Sequence, residues 1–550
     1  MRTKTGLGTL IAASAGATLF SSGTVSAAVT QGVPAPYVNS SNSVNASDPH
    51  VKPCVKGGVS GFCLFTSQDL NEGDTTAGYP SGDPNHYPMS STLGFFSTDG
   101  ITWTPASAPL LTESAYTSRN WVPSGAKHLW APSAASDGRG NWFLYVPDIS
   151  NLSQQHTASF IGVSKSTTGP MGQYTPFQRI TISTGPGGRT YASDPDVIQT
   201  SGGSFLFYAN GDGENCGTIS VAQLNTTTMA DVTNPQVLQV SGFEVLGGCT
   251  ESSKGQTPGL KHPLPYMEGP HVYDTSGWPT GAPGPYLLVV PTKPSVMPPE
   301  CVLNVQGQPG TQNEVIAYAT ASSVAGPYTY QGILMCGSAQ EYTDQASIVP
   351  IPKGGQRPLI MIYHDGPGAN NGHHRTLHGE CLPYGSGIFP GSIRTGGTTT
   401  ADSGAIHDCL STFDPNMIAL KSGVTNRVLS GNGTLVANRF AVGPWEHFHL
   451  FDSSNRPIPA VPGFTSFPGA SWKADANGRF VTTSNQTTPL AANSTTVGAA
   501  QQYNPNFSSF GSVFFYAPTG RGVRTVPSDG TLRGDVDPFG GQEGFTVLHY

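Results

Sequence analysis

Asp194-Pro195-Asp196-Val197, then Gly202-Gly203-Ser204, then Phe205-Leu206-Phe207-Tyr208 is the stretch on which the fold turns. It reads as a strand, a tight glycine turn and a second, wholly apolar strand. The phrase recurs. Asp48-Pro49-His50-Val51, Trp130-Ala131-Pro132-Ser133, Glu268-Gly269-Pro270-His271 and Asp344-Gln345-Ala346-Ser347 follow the same design at intervals of roughly 60–80 residues. Each leads into an apolar run: Phe62-Cys63-Leu64-Phe65, Trp142-Phe143-Leu144-Tyr145, Tyr286-Leu287-Leu288-Val289 and Leu359-Ile360-Met361-Ile362. Further strand-like segments follow, such as Ser159 to Val163 and Glu314 to Tyr318. About four strands per unit in five units predict an all-β, five-bladed β-propeller over residues 28–400. Helical periodicity is nearly absent.

A second repeat begins near residue 416 on a shorter period. Leu420-Lys421-Ser422, Trp472-Lys473-Ala474 and Phe515-Tyr516-Ala517 each lead to an Arg-bearing string, at Arg427, Arg479 and Arg521. Each then reaches a second string: Thr434-Leu435-Val436-Ala437, Pro489-Leu490-Ala491-Ala492 and Thr531-Leu532-Arg533-Gly534. Three β-rich repeats of this size predict a β-trefoil over residues 416–550, with Gly391 to Pro415 as the seam. Ala437-Asn438-Arg439 and Gly443-Pro444-Trp445-Glu446-His447-Phe448 resemble the pattern of the fascin-like trefoils. Actin bundling makes no sense for an exported chain, so carbohydrate binding is expected of this domain, with up to three weak sites.

Composition agrees with a turn-rich β protein. Of 550 residues only 11% are charged, 37% are hydrophobic, and Gly 69 and Pro 47 are high. A net charge of −8 with 26 Lys+Arg speaks against nucleic acid, which requires a basic face. Ser, Thr, Asn and Gly carry the surface, which suits neutral hydroxylated partners.

The first 27 residues read as a signal peptide: Arg2 and Lys4, an apolar Leu7 to Phe20, then Val25-Ser26-Ala27 at the cleavage site. No later segment has transmembrane length, so a secreted protein is expected, with no membrane partner. Eight cysteines fit that compartment. Sequential pairing would join Cys54/Cys63, Cys216/Cys249, Cys301/Cys336 and Cys381/Cys409, one of 105 connectivities open to eight cysteines.

Three of the five openings carry a carboxylate. Opening strands lie innermost in a propeller, so Asp48, Asp194 and Glu268 should converge at one end of the channel. Carboxylates crowded in one cleft repel and take different pKa values. That separation of acid from base is what glycosidic hydrolysis requires. A lone Asp-Pro more often starts a turn, as Asp83-Pro84, Asp414-Pro415 and Asp537-Pro538 are read here. Recurrence at blade openings sets the other three apart.

The order DP, WAP, DP, EGP resembles glycoside hydrolase family 43, whose members are five-bladed propellers. Leu129-Trp130-Ala131-Pro132, Ile161-Gly162-Val163-Ser164 with Gly169-Pro170, and Tyr318-Ala319-Thr320-Ala321 with Gly326-Pro327-Tyr328 add to it, from about residue 45 to 395. The resemblance implies an inverting hydrolase with Asp48 as general base, Glu268 as general acid and Asp194 as the carboxylate that tunes and orients the acid. Asp196 is a rival for the third role, two residues on. Trp130 would line the sugar pocket, while Trp103, Trp142 and Phe207 read as core. Arg375 is a candidate to hold the acid or a substrate hydroxyl, with a solvated arginine as the equal alternative.

An acid/base mechanism requires no cofactor. Family members often place a His at the fifth opening, where it helps hold a calcium or other ion in the channel. Asp344-Gln345-Ala346-Ser347 offers none, although His364, His373 and His374 could substitute, so no metal ligand is assigned. The expected substrate is a pentose-rich plant or microbial polysaccharide, cleaved as by an arabinofuranosidase, xylosidase or arabinanase, and the expected state a monomer. Two alternatives remain. A fructoside hydrolase would carry NDP and RDP strings where this chain has Ser47-Asp48-Pro49 and Ser193-Asp194-Pro195. A non-catalytic sugar-binding protein would have no need of all three carboxylates.

Overall fold

The computed structural model describes residues 38–39, 42–43, most of 46–382 and most of 417–549. Residues 70–88, 101–102, 119–128, 150–158, 181, 183–190, 212–215, 253–256, 279–281, 299–300, 302–313, 337–344, 351–358 and 366–374 lie outside that description, as do short pieces beyond 417 and all of 383–416. The signal-peptide reading, Asp344, His373, His374, Cys409 and the seam therefore lie outside the described residues. Among the described residues no helix is long and apolar enough to cross a membrane.

The N-terminal part is a propeller-like ring of antiparallel sheets. Their innermost strands are β1 (Ala46–Lys56), β2 (Ser133–Ser136), β3 (Ser193–Thr200), β4 (His271–Asp274) and β5 (Ala346–Pro350). In chain order, β1, β2, β3 and β5 each pair with the next strand, which pairs with the next again. Four sheets have at least four strands; the sheet of β5 has three among the described residues, so the expected set of about four per unit is met in four units. The fourth sheet takes its outermost strand, Val240–Ser241, from the chain that precedes it, paired in parallel with Tyr328–Cys336.

Side-chain alternation explains the continuous apolar runs. Successive residues of a strand face opposite sides. Phe143 and Tyr145 pack toward β3's sheet with Leu206 and Tyr208, whereas Leu144 and Val146 pack toward β1's sheet with Phe65. Phe207 turns the other way, to Leu288 and Val290 of the fourth sheet. Two more apolar layers join Leu287 and Val289 to Ile348 and Met361, and Val349 and Ile360 to Val51 and Leu64. Five layers thus close the ring, and a sheet covered on both faces needs apolar residues at every position. Trp103, Trp142 and Phe207 are buried core residues, as read from sequence.

The disulfides Cys54–Cys63 and Cys216–Cys249 form as sequential pairing predicts. Cys301 is also disulfide-bonded.

In the C-terminal part, six strands form a closed circuit: β6 (Met417–Ser422), β7 (Phe448–Phe451), β8 (Ala470–Ala474), β9 (Gln502–Phe507), β10 (Ser512–Tyr516) and β11 (Gly544–His549), with β11 returning to β6. Three hairpins, at 428–439, 479–494 and 522–536, attach to β6, β8 and β10. The repeated second strings meet on a three-fold axis. Leu435 N–H donates to the Leu490 carbonyl at 2.8 Å, Leu490 N–H to that of Leu532 at 2.8 Å, and Leu532 N–H to that of Leu435 at 3.1 Å. The first strings supply Leu420, Trp472 and Phe515 to one buried core, where the Trp472 and Phe515 rings stack at 4.5 Å.

Candidate active site

The blade openings share a backbone distortion. Pairing in the first sheet skips from Ser47 to His50, and in the third from Ser193 to Asp196. Within each skip an Asp stands at positive φ, 51° for Asp48 and 47° for Asp194. Ala131 (φ 31°) and Gly269 (φ 47°) occupy the corresponding places in the second and fourth sheets. A non-glycine residue there costs about 1–3 kcal/mol, which the surrounding sheet must offset. The following proline, unable to donate to the ladder, fits a bulge.

Asp48 sits in a cationic socket supplied by the last sheet. Arg375 Nη1 donates to its Oδ1 at 3.1 Å, and its own N–H donates to His364 Nδ1 at 2.9 Å. Burial alone would raise its pKa, but the Arg375 guanidinium, then His364, outweigh burial and hold it below the usual carboxylate range. Arg375 is itself pinned by Asp69: Nε to Oδ2 at 3.0 Å and Nη2 to Oδ1 at 2.9 Å. Ser47 Oγ also donates to Asp69, at 2.9 Å. The planar guanidinium thus spans two carboxylates. Its place corrects the expectation for Arg375. It is buried, not solvated, and its fork bonds Asp69 and Asp48.

Asp194 is pushed the other way. Burial first, then Glu268, then Asp48 raise it to about 8, against hydrogen bonds from the Gly269 N–H at 3.3 Å and from Ser193 Oγ. The structure therefore brings Asp48, Asp194 and Glu268 into one electrostatic neighbourhood. Glu268 is half-buried and accepts a hydrogen bond from the Tyr266 hydroxyl. Trp130 is half-buried beside Ala131, whose backbone bonds Asp48.

Asp196 is not in this group. The bulge sends it one layer back along the channel, where it is fully buried and bonded to His50 and Lys52. The rival for the third role therefore stands a layer away from Glu268, paired with His50 and Lys52 instead.

Sequence reading missed Asp69, the tie between His364 and Asp48, and Tyr266. Asp69 ends its strand in a string that recurs nowhere else. Tyr266, two residues before Glu268, was the more findable.

The model of the family described as Glycosyl hydrolases family 43 matches residues 87–377, just over half of the chain. No curated protein matches. Among solved structures, the chain is similar to the GH43_1 enzyme from Xanthomonas citri (19% identity, TM-score 0.42, 65% of this chain and 94% of that one). It is similar to an exo-β-1,3-galactanase from Clostridium thermocellum (12%, 0.43, 93% and 97%) and an endo-arabinase from Bacteroides thetaiotaomicron (16%, 0.40, 64% and 96%). With its ring of sheets, its clustered carboxylates and the family match across most of the ring, the chain belongs to glycosyl hydrolase family 43.

Proposed function

We propose that this glycoside hydrolase is exported, acts on pentose-rich polysaccharide and inverts the anomeric configuration. Asp48 is the base, Glu268 the acid and Asp194 the carboxylate that tunes it. The observation that carries the reading is the opposite displacement of two carboxylates in one site: Asp48 held down by Arg375, Asp194 pushed up by burial and Glu268. A carboxylate kept ionised can take a proton from water, and a buried neighbour that resists ionisation limits the negative charge beside the acid.

In the reaction, Asp48 orients and deprotonates a water on one face of the sugar while Glu268 protonates the leaving oxygen on the other. Trp130 offers an apolar face to the sugar ring. Arg375 and Asp69 keep Asp48 ionised and fixed. The pentose preference rests on the sequence resemblance, and export on the N-terminal segment and the disulfides. We read the closed C-terminal circuit with its three hairpins as a β-trefoil that binds glycan, and the protein as a monomer.

Leaving-group dependence tests the roles. Glu268→Gln should lose far more activity on substrates with poor leaving groups than on activated aryl glycosides, and Asp48→Asn should fail on both. Equal losses for Glu268→Gln on both substrates remove it from the acid role. A product profile on arabinan, arabinoxylan and xylan tests the substrate; cleavage of none of them ends the pentose reading.

A further inference from the structure

Behind the carboxylates, each innermost strand sends one more polar side chain toward the axis: His50, Ser133, Asp196, His271 and Ser347, none more than 3% exposed. Asp196 is the only acid among them. Its Oδ1 accepts from His50 Nε2 at 2.6 Å and from Lys52 Nζ at 2.8 Å, and its Oδ2 from the Val272 N–H at 2.7 Å. The His50 and His271 rings lie 5.0 Å apart. Lys52 reaches this layer from a rear cavity of about 320 Å3, lined by residues 51–53, 134–136, 197–199, 272–274 and 348–350, three from each innermost strand.

The ligand atoms of His50, Asp196 and His271 lie within 4.8 Å of one another, a donor set of the kind divalent ions take, and the family resemblance implies a channel ion. The arrangement present does not fit one. His50 Nε2 and Asp196 Oδ1 are at hydrogen-bonding distance, closer than the roughly 3.3 Å between two ligands held tetrahedrally at about 2 Å. Calcium, with longer bonds, takes several oxygen ligands, and both oxygens of Asp196 already accept from other donors. A lysine ammonium on the same oxygen would repel any incoming cation.

We propose that the Lys52 ammonium is the resident cation of this channel, standing where an ion would otherwise neutralise Asp196. It is a positioning residue: through Asp196 it ties β1 to β3, the strands that carry Asp48 and Asp194, and through the Val272 N–H it ties both to β4, the strand that follows Glu268. Both histidines stay neutral beside it, His50 held down to about 4 by burial and Lys52, and His271 to about 3 by burial and His50.

The test compares wild type, Lys52→Met and Lys52→Arg, each dialysed against a chelator and then given calcium, read by thermal unfolding and by kcat/KM on an aryl glycoside. Wild type should keep its midpoint and rate throughout. Lys52→Met, which leaves Asp196 buried with no cation, should unfold several degrees lower whether or not calcium is present. Lys52→Arg should stay close to wild type. The proposal is overturned if Lys52→Met matches wild type without metal. It is equally overturned if the wild-type midpoint falls on chelation, recovers with calcium, and loses that response in His271→Ala. Should Lys52→Met fail to fold, the wild-type and His271→Ala arms decide.

Discussion

Replacing Arg375 with methionine removes the cation from between two buried carboxylates while keeping an apolar stem of similar length. Asp69 then has a side chain with no exposure, and Asp48 one that is 8% exposed, with no guanidinium between them. Breaking a buried ion pair from one side costs about 3–5 kcal/mol. At roughly 2–4 °C per kcal/mol for a large domain, the propeller's unfolding midpoint should fall by about 6–20 °C. The effect on Asp48 has a definite sign. Its native pKa is held below the unfolded value, so its contribution to stability is present above about 3.8 and is lost as pH falls through the native value. Arg375→Met removes that contribution. If Asp48 is the base, the acidic limb of kcat/KM on a soluble aryl glycoside should therefore move upward, and Arg375→Lys should return part of the shift. A folded Arg375→Met enzyme with its acidic limb unmoved and activity lowered evenly at every pH would refute the link from Arg375 to the base.

Asp194→Asn removes the carboxyl that burial and Glu268 push up to about 8, so the alkaline limb of kcat/KM should move while the acidic limb stays in place; a pH–rate profile decides. Deleting residues 416–550 should spare activity on aryl glycosides and lower binding to insoluble polysaccharide, read by pull-down; equal loss on both substrates would make the C-terminal circuit part of the active-site wall. Alkylation and mass spectrometry of the non-reduced protein should find no free thiol at Cys54, Cys63, Cys216 or Cys249, and removing the Cys54–Cys63 bond, which spans nine residues, should cost about 2–3 kcal/mol in urea unfolding.

Much of this architecture was legible because the chain repeats itself. An opening string that recurs at each innermost strand marks an axis, and an axis gathers side chains from distant sequence. Asp48, Asp194 and Glu268 were found in that way, and so were Leu435, Leu490 and Leu532, whose backbones close the three-fold triangle. The polar layer of His50, Ser133, Asp196, His271 and Ser347 was hidden in the same strings, the first four each two residues beyond a positive-φ position. What no repeat announces is the support around the site. Asp69 and Arg375 are 306 residues apart and belong to no recurring phrase, and the ring must close before they meet. The misplacement of Asp196 has a local cause. Beyond the bulge that presents Asp194, Asp196 stands one layer deeper in the channel, bonded to His50 and Lys52 and away from Glu268.

The most direct measurement of the central claim is the proton NMR spectrum of the first product formed from a pentosyl aryl glycoside, recorded before mutarotation. If Asp48 activates water on one face and Glu268 protonates the leaving oxygen on the other, the first anomer formed is the inverted one. A first product that keeps the substrate's anomeric configuration would mean a covalent intermediate on a carboxylate, and would contradict the assignment of Asp48 as base.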